Sequence, residues 1–103
     1  MTPTPAAPLF PHGRMFMTES IVNLAREGKA DILKCLDRHL TGDWGDAPEM
    51  RKAMNDIAVA QSRGAIVSRF RITPEIQIVI LTTEDRSLTK LMLVNESLDD
   101  LYD

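Results

Sequence analysis

The spacing of the apolar residues changes at Gly64, and this change decides the fold class. Before Gly64, apolar residues recur every three or four positions, which is typical of amphipathic helices. Three helices are predicted in this way: one over roughly 19–27, one that begins near Asp31 and stops at Gly42, and one over roughly 47–62. The first two-thirds of the chain is therefore predicted to be mainly helical.

After Gly64 the pattern is that of strands. Apolar and polar residues alternate over 65–72, and two further strands are predicted over 76–82 and 88–94. Residues 76–82 are almost continuously apolar, which favours a central strand covered on both faces. With a short strand candidate at 14–17, the chain is predicted to form an α+β fold: a short strand, three helices and a three-stranded antiparallel meander in a two-layer sandwich.

The two ends differ from this domain in composition. Residues 1–13 are rich in proline and are interpreted as a disordered leader, and residues 95–103 form an acidic tail. The single domain is then expected over 14–94. The net charge of −3 makes nucleic acid an unlikely partner and permits a basic protein. No stretch is long enough to span a membrane. Cys35 is the only cysteine, so an intrachain disulfide is impossible, and it is interpreted as a small core residue.

The third helix has the strongest local signal. Asp46 followed three residues later by Glu49 predicts a capping box, with Pro48 in the first turn. One face of this helix then carries the apolar residues and one glutamine, namely Met50, Met54, Ile57 and Gln61.

The turn Gly42–Asp46 contains the only tryptophan, Trp44. Trp44 is either an exposed contact for a partner or a plug between helices and sheet, its indole nitrogen bonded to a carbonyl; the plug is favoured. His39, Asp43 and Asp46 are possible metal ligands, but a structural task for each is favoured, and no metal or cofactor is predicted.

A second polar turn follows the strand at 76–82. Asp43 together with Glu84, Asp85 and Arg86 would form an acid–base site if the two turns met. The favoured alternative is an arginine fork, in which Arg86 binds Asp43 or another carboxylate of Gly42–Asp46 and ties the turns together. No catalytic residue is assigned, because no pairing of a nucleophile with a base is visible.

Two arginines, Arg69 and Arg71, share one face of the first meander strand. This face would hold an acidic partner or nucleic acid, although a solvated face is the more common situation. The residues assigned to binding are Trp44, Asp43, Arg69, Arg71, Arg86 and Asp85.

The motifs resemble those of a family of small bacterial, plasmid and phage proteins, over about residues 13–94. Members are often labelled plasmid-related protein or type I restriction subunit. The shared features are an Arg-His pair, a Gly-Asp-Trp-Gly-Asp turn, an internal helix Asn, a Gly-led strand with Ser and an aromatic residue, and an Asp-Arg-Ser-x-Thr turn. In this chain they are Arg38-His39, Gly42–Asp46, Asn55, Gly64, Ser68, Phe70 and Asp85–Thr89. The resemblance implies a mobile-element, cytoplasmic setting and no settled activity.

Three functions are compatible with these observations. The first is a non-enzymatic protein-binding module of a mobile element that modulates or inhibits a host or defence protein. The second is a toxin-like domain, a ribonuclease or gyrase poison, which the order of elements resembles. The third is a small regulatory subunit that forms a homodimer through its sheet. The small size, the acidity and the missing catalytic signature favour the first.

Overall fold

The helices and strands follow one another in the order predicted from the sequence. The structure is a computed structural model and describes residues 7–96. Its elements are β1 (Arg14–Met17), α1 (Glu19–Arg26), α2 (Ile32–Leu40), α3 (Glu49–Gln61), β2 (Ile66–Thr73), β3 (Ile76–Thr82) and β4 (Leu88–Leu93). The α+β fold is thereby confirmed. None of these helices has the length and apolar character needed to cross a membrane.

The four strands form one mixed sheet in the order β1-β4-β3-β2. Strands β2, β3 and β4 pair antiparallel, as the predicted meander requires. Strand β1 pairs parallel with β4, so that Arg14 lies opposite Leu88 and Met17 opposite Leu91. Parallel neighbours need a long connection, and here it consists of the three helices followed by β2 and β3. Strands β1 and β2 are consequently the two edges of the sheet.

The core lies between one face of the sheet and the helices. Helices α1 and α2 contribute aliphatic side chains that pack against the sheet residues Ile66, Phe70, Ile78, Ile80 and Leu91. Cys35 is buried among them, as predicted, and burial raises the pKa of its thiol. On the opposite face of β3, Val79 and Leu81 are half-buried, so this strand is fully covered on one face only.

Phe10 belongs to this core, although the sequence placed it in the leader. Its ring lies edge-on to His39 at 5.3 Å and stacks on Trp44 at 6.4 Å between centroids. The neighbouring Leu9 N–H donates to the carbonyl of Leu40 at 2.8 Å. An aromatic side chain in a proline-rich segment has no periodic signal, so the sequence did not reveal it. The packed domain thus begins before Arg14; residues 1–6 of the predicted leader lie outside the described residues.

The start of the predicted acidic tail is also attached to the domain. Glu96 Oε1 accepts hydrogen bonds from Thr18 Oγ1 and from the Leu93 N–H, both at 2.7 Å. The rest of that tail, residues 97–103, lies outside the described residues.

The capping box predicted for α3 is wrong. Pro48 occupies the N-cap position with extended backbone, no side chain caps the helix, and α3 begins at Glu49. The carboxylate of Asp46 accepts a hydrogen bond from the Arg71 N–H at 2.8 Å instead. The Arg71 N–H of β2 thus takes the carboxylate that was predicted to cap α3. Asp46 therefore stabilises the edge of β2.

The turn before α3 lies against β2 at very short range. Gly45 forms a parallel bridge with Arg69, and its φ is +65°. A Cβ atom on Gly45 would lie 2.3 Å from the carbonyl oxygen of Arg69 and 2.6 Å from the ring of Phe70. Only glycine fits this contact, because the backbones approach too closely for a side chain.

We expect Gly45→Ala to lower the free energy of unfolding by about 3 kcal/mol, because the new methyl group meets backbone as well as an unfavourable φ. Gly28→Ala is the matched control: its φ is +69°, but nothing lies within 4 Å of the new Cβ. That variant should lose only about 1 kcal/mol. Chemical denaturation of both proteins measures the difference, and equal losses would contradict the close contact.

Candidate protein-binding surface

The outer edge of β2 is closed by hydrogen bonds from α3 and from the turn that precedes it. Asn55, which is 0% exposed, is bonded to both backbone groups of Val67: its Nδ2 donates to the carbonyl at 2.7 Å, and its Oδ1 accepts from the N–H at 3.0 Å. An asparagine side chain reproduces in this way the bonds that a neighbouring strand would make.

The bonds continue along the edge on both sides of Val67. Arg51 Nη2 donates to the carbonyl of Ala65 at 2.9 Å, and Arg51 Nε donates to Asn55 Oδ1 at 3.1 Å. The Arg69 N–H donates to the carbonyl of Trp44, and the Arg69 carbonyl accepts from the Asp46 N–H. With the Asp46–Arg71 bond, the edge from 65 to 71 is fully occupied and is not open to another strand.

This arrangement fixes which face of α3 points outward. Asn55 and Ala58 face the sheet and are buried. The apolar side chains at i, i+4 and i+7 point to solvent instead: Met50 is 77% exposed, Met54 is 49% exposed and Ile57 is 54% exposed. We call Met50, Met54 and Ile57 the α3 stripe.

A groove of about 300 Å³ lies beside the α3 stripe, between α3 and the start of β2. Met54, Ile57 and Ala58 form its apolar wall, and the side chains of Arg51 and Arg63 also line it. The remaining lining residues are Gly64 and Ala65, so none of the described residues contributes a carboxylate to the lining. We call this feature the α3 groove.

Trp44 lies in the core and is 5% exposed, which is the arrangement of the plug alternative. Its indole Nε1 donates to Asp56 Oδ1 on α3 at 2.8 Å, so the acceptor is a carboxylate and not the carbonyl that the sequence suggested. Trp44 thus joins the turn to α3 and is not placed to contact a partner.

Asp43 is paired within its own neighbourhood. Arg38 Nε donates to Asp43 Oδ2 at 2.7 Å, and the Gly45 N–H donates to Asp43 Oδ1 at 3.0 Å. The hydrogen bond from Arg38 lowers the pKa of this carboxyl group. Asp43 therefore closes the turn and remains ionised.

The predicted bond from Arg86 to a carboxylate of Gly42–Asp46 is wrong. Arg86 Nη1 donates to the carbonyl of Gly64 at 2.6 Å, and Nη2 donates to the carbonyl of Ala58 at 3.0 Å. Two carbonyls of its own turn, those of Thr83 and Glu84, complete the set. The Ala58 carbonyl already accepts from the Ser62 and Arg63 N–H groups at the end of α3, so the guanidinium adds a further donor there. Arg86 does tie two loops together, but through backbone oxygens.

Asp85 is bonded inside its turn and does not face Asp43. It accepts hydrogen bonds from Ser87 Oγ at 2.6 Å, from the Ser87 N–H and from Thr83 Oγ1. These bonds, with that from Ser87 Oγ the strongest cause, lower the pKa of its carboxyl group to about 2. The two polar turns therefore do not combine into an acid–base site.

Arg69 and Arg71 lie on the sheet face opposite the helices, the first half-buried and the second exposed. This position agrees with the shared face predicted from their spacing. Their backbone groups, and not their side chains, make the contacts with the Gly42–Asp46 turn.

His39 is enclosed in a polar network in the core. It is 0% exposed, and its ring nitrogens are hydrogen-bonded to Ser68 Oγ at 2.5 Å and to Thr82 Oγ1 at 2.9 Å. Thr82 is bonded in turn to Thr89, whose hydroxyl donates to the carbonyl of His12. Burial lowers the pKa of His39 to about 4, so the ring is neutral at pH 7. Since His39, Asp43 and Asp46 have separate partners, they do not converge on a metal.

Of the residues assigned to binding, Trp44 is buried, and the side chains of Asp43, Asp85 and Arg86 are hydrogen-bonded within the fold. The α3 groove was missed. The signal for it in the sequence was Asn55 in mid-helix with Arg51 one turn earlier. When an amide and a guanidinium face the edge of a strand, the apolar side of their helix points outward.

The comparisons with known proteins add no relative to this geometry. The chain matches no family model, and neither the curated proteins nor the solved structures give a significant match.

We expect the protein to lose stability as the pH falls from about 6.5 towards 4. The pKa of His39 is about 4 in the folded protein and about 6.5 in the unfolded chain, so the unfolded chain binds more protons in this range. Protonation of His39 in the unfolded chain has little effect above about pH 6.5. Between pH 7 and pH 5 it should lower the free energy of unfolding by about 2 kcal/mol.

Urea unfolding at a series of pH values measures this loss, and the NMR titration of the His39 ring checks the assignment. His39→Gln should remove this part of the pH dependence. A ring that titrates near pH 6.5 in the folded protein would contradict the buried neutral state.

We expect Arg86→Lys to lower the free energy of unfolding by about 2 kcal/mol, although it keeps the charge. An ammonium group cannot replace a guanidinium fork that reaches Ala58 and Gly64 together. Arg71→Lys, at an exposed position, is the control and should change stability by less than about 0.5 kcal/mol. Thermal denaturation compares the two variants; equal melting temperatures would show that the fork is dispensable.

Proposed function

We propose that this protein is a non-enzymatic protein-binding module. The observation that supports this proposal is the α3 stripe, a line of three large apolar side chains held on the outside of the domain. Methionines at a surface adapt their shape to a partner, and apolar side chains at i, i+4 and i+7 match the way in which helices dock into grooves. Covering such a side chain contributes roughly 1 kcal/mol or more.

The stripe is a feature of a stable fold and not a packing defect. Asn55 cannot leave the edge of β2 without losing its two hydrogen bonds to Val67, each of which contributes about 1 kcal/mol. Rotating α3 to bury Met50 and Met54 is thus unfavourable. The apolar face remains available for another molecule.

The polar side chains support a binding role over a catalytic one. His39 is buried, Asp43 is bound by Arg38, and Arg86 is occupied by carbonyls. A toxin-like ribonuclease would need an acid or a base and a cation that reach the scissile phosphate. These residues are committed to the fold, so this alternative has less support.

The biological setting that we propose comes from the motif resemblance. An Arg-His pair followed by Gly-Asp-Trp-Gly-Asp, here Arg38-His39 and Gly42–Asp46, favours a mobile-element protein. Within that setting, the binding module would act in the cytoplasm on a host or defence protein, as a modulator or an inhibitor.

Affinity capture from bacterial lysate tests the binding function. Met54→Glu places a charge in the centre of the α3 stripe and should abolish capture of the partner that the unaltered protein retains. Leu33→Glu is the matched control, because Leu33 is an exposed apolar residue on α2, away from the groove, and is 73% exposed. Circular dichroism of both variants should be unchanged. Equal capture by all three proteins would remove the proposed role of α3.

A further inference from the structure

We propose that the α3 groove binds an acidic amphipathic helix of another protein. This inference rests on the proposed function and names the chemistry of its partner. The α3 stripe extends over two turns, from Met50 to Ile57, which corresponds to about 10 Å of helix. The groove deepens the apolar surface on one side, towards the start of β2.

The charges of the groove define the sign of the partner. Arg51 and Arg63 line it, and no carboxylate of residues 7–96 does. The ion pairs of residues 7–96 are Lys29–Glu27, Arg38–Asp43 and Lys52–Glu49, and neither groove arginine takes part in them. The bonds of Arg51 go to a side-chain amide and a carbonyl, so no carboxylate of the described residues is paired with its positive charge. The groove is therefore a local positive site on a protein with a net charge of −3.

The hydrogen bonds of β2 define the shape of the partner. An extended segment would add to a sheet edge through backbone bonds, but the edge next to the groove is already occupied from 65 to 71. A helix satisfies its own backbone groups, and it needs only side-chain contacts with α3. This favours a helix over a strand.

A second copy of this chain is a poor occupant of the groove. In a two-fold symmetric dimer the same surface meets itself, so each copy would bring Arg51 and Arg63 to the interface and no carboxylate from the described groove lining to pair with them. The like charges would oppose association. A partner with carboxylates on either side of an apolar stripe complements the groove instead.

Two designed peptides of about 20 residues test this inference. Both carry leucine at i, i+3, i+4 and i+7; one has glutamate at the flanking positions and the other has lysine. Fluorescence anisotropy should show that the glutamate peptide binds about tenfold more tightly than the lysine peptide at low salt, with a smaller ratio at high salt. Met54→Gln should abolish binding of the glutamate peptide.

Charge reversal makes the test specific. Arg63→Glu should remove the preference for the glutamate peptide, because the new carboxylate offsets the charge of Arg51. Arg63 is exposed, so this variant should fold normally. Lys34→Glu is the matched control: it gives the same change in net charge at an exposed position on α2 and should leave the preference unchanged.

The other outcomes are distinguishable. If both peptides bind equally and Met54→Gln abolishes both, the acidic partner is wrong and the binding function stands. If neither peptide binds, the helix-binding groove is wrong, and the capture experiment alone decides the function. A dimer in analytical ultracentrifugation that Met54→Gln dissociates would identify a second copy as the occupant and overturn this inference.

Discussion

The backbone groups at the outer edge of β2 need hydrogen-bond partners, and α3 and the turn before it supply them. Backbone groups at such an edge bind water, another strand or side chains. Here Asn55 and Arg51 reach them from α3, and the turn at Asp46 reaches them from the other end. Because these contacts are polar, α3 must place its polar side towards the sheet, and its apolar stripe is left outside. One constraint therefore explains both the closed edge and the open groove.

The motif residues around the turn serve this same closure. Arg38 holds Asp43, Trp44 binds Asp56 on α3, and Gly45 allows the turn to approach β2. His39 lies beneath them in a network of hydroxyl groups, where a charged ring would be costly. The residues of the sequence motif thus have structural roles within the fold. The chemistry available to a partner is found where the pattern is weakest, on the exposed side of α3.

An apolar surface flanked by guanidinium groups is selective on an otherwise acidic protein. The net charge repels acidic molecules at long range, but this repulsion is screened over about 8 Å in physiological salt. At contact, Arg51 and Arg63 act locally and favour a partner with carboxylates beside its apolar face. A buried apolar area would by itself give binding without selectivity between partners. In the proposed interaction, the combination of stripe and charge selects the partner.

The sequence by itself determined the order of elements, their approximate bounds and the α+β class, because these depend on local periodicity. It also identified the meander, the core position of Cys35 and the plug formed by Trp44. It could not determine that Phe10 enters the core, that Arg86 binds carbonyls or that Asp46 leaves its helix for β2. Each of these depends on which unsatisfied backbone group or cavity lies nearby in space. The orientation of α3 is of the same kind: periodicity shows that a helix has an apolar side, but only the tertiary structure decides whether burying that side or satisfying a strand edge is worth more.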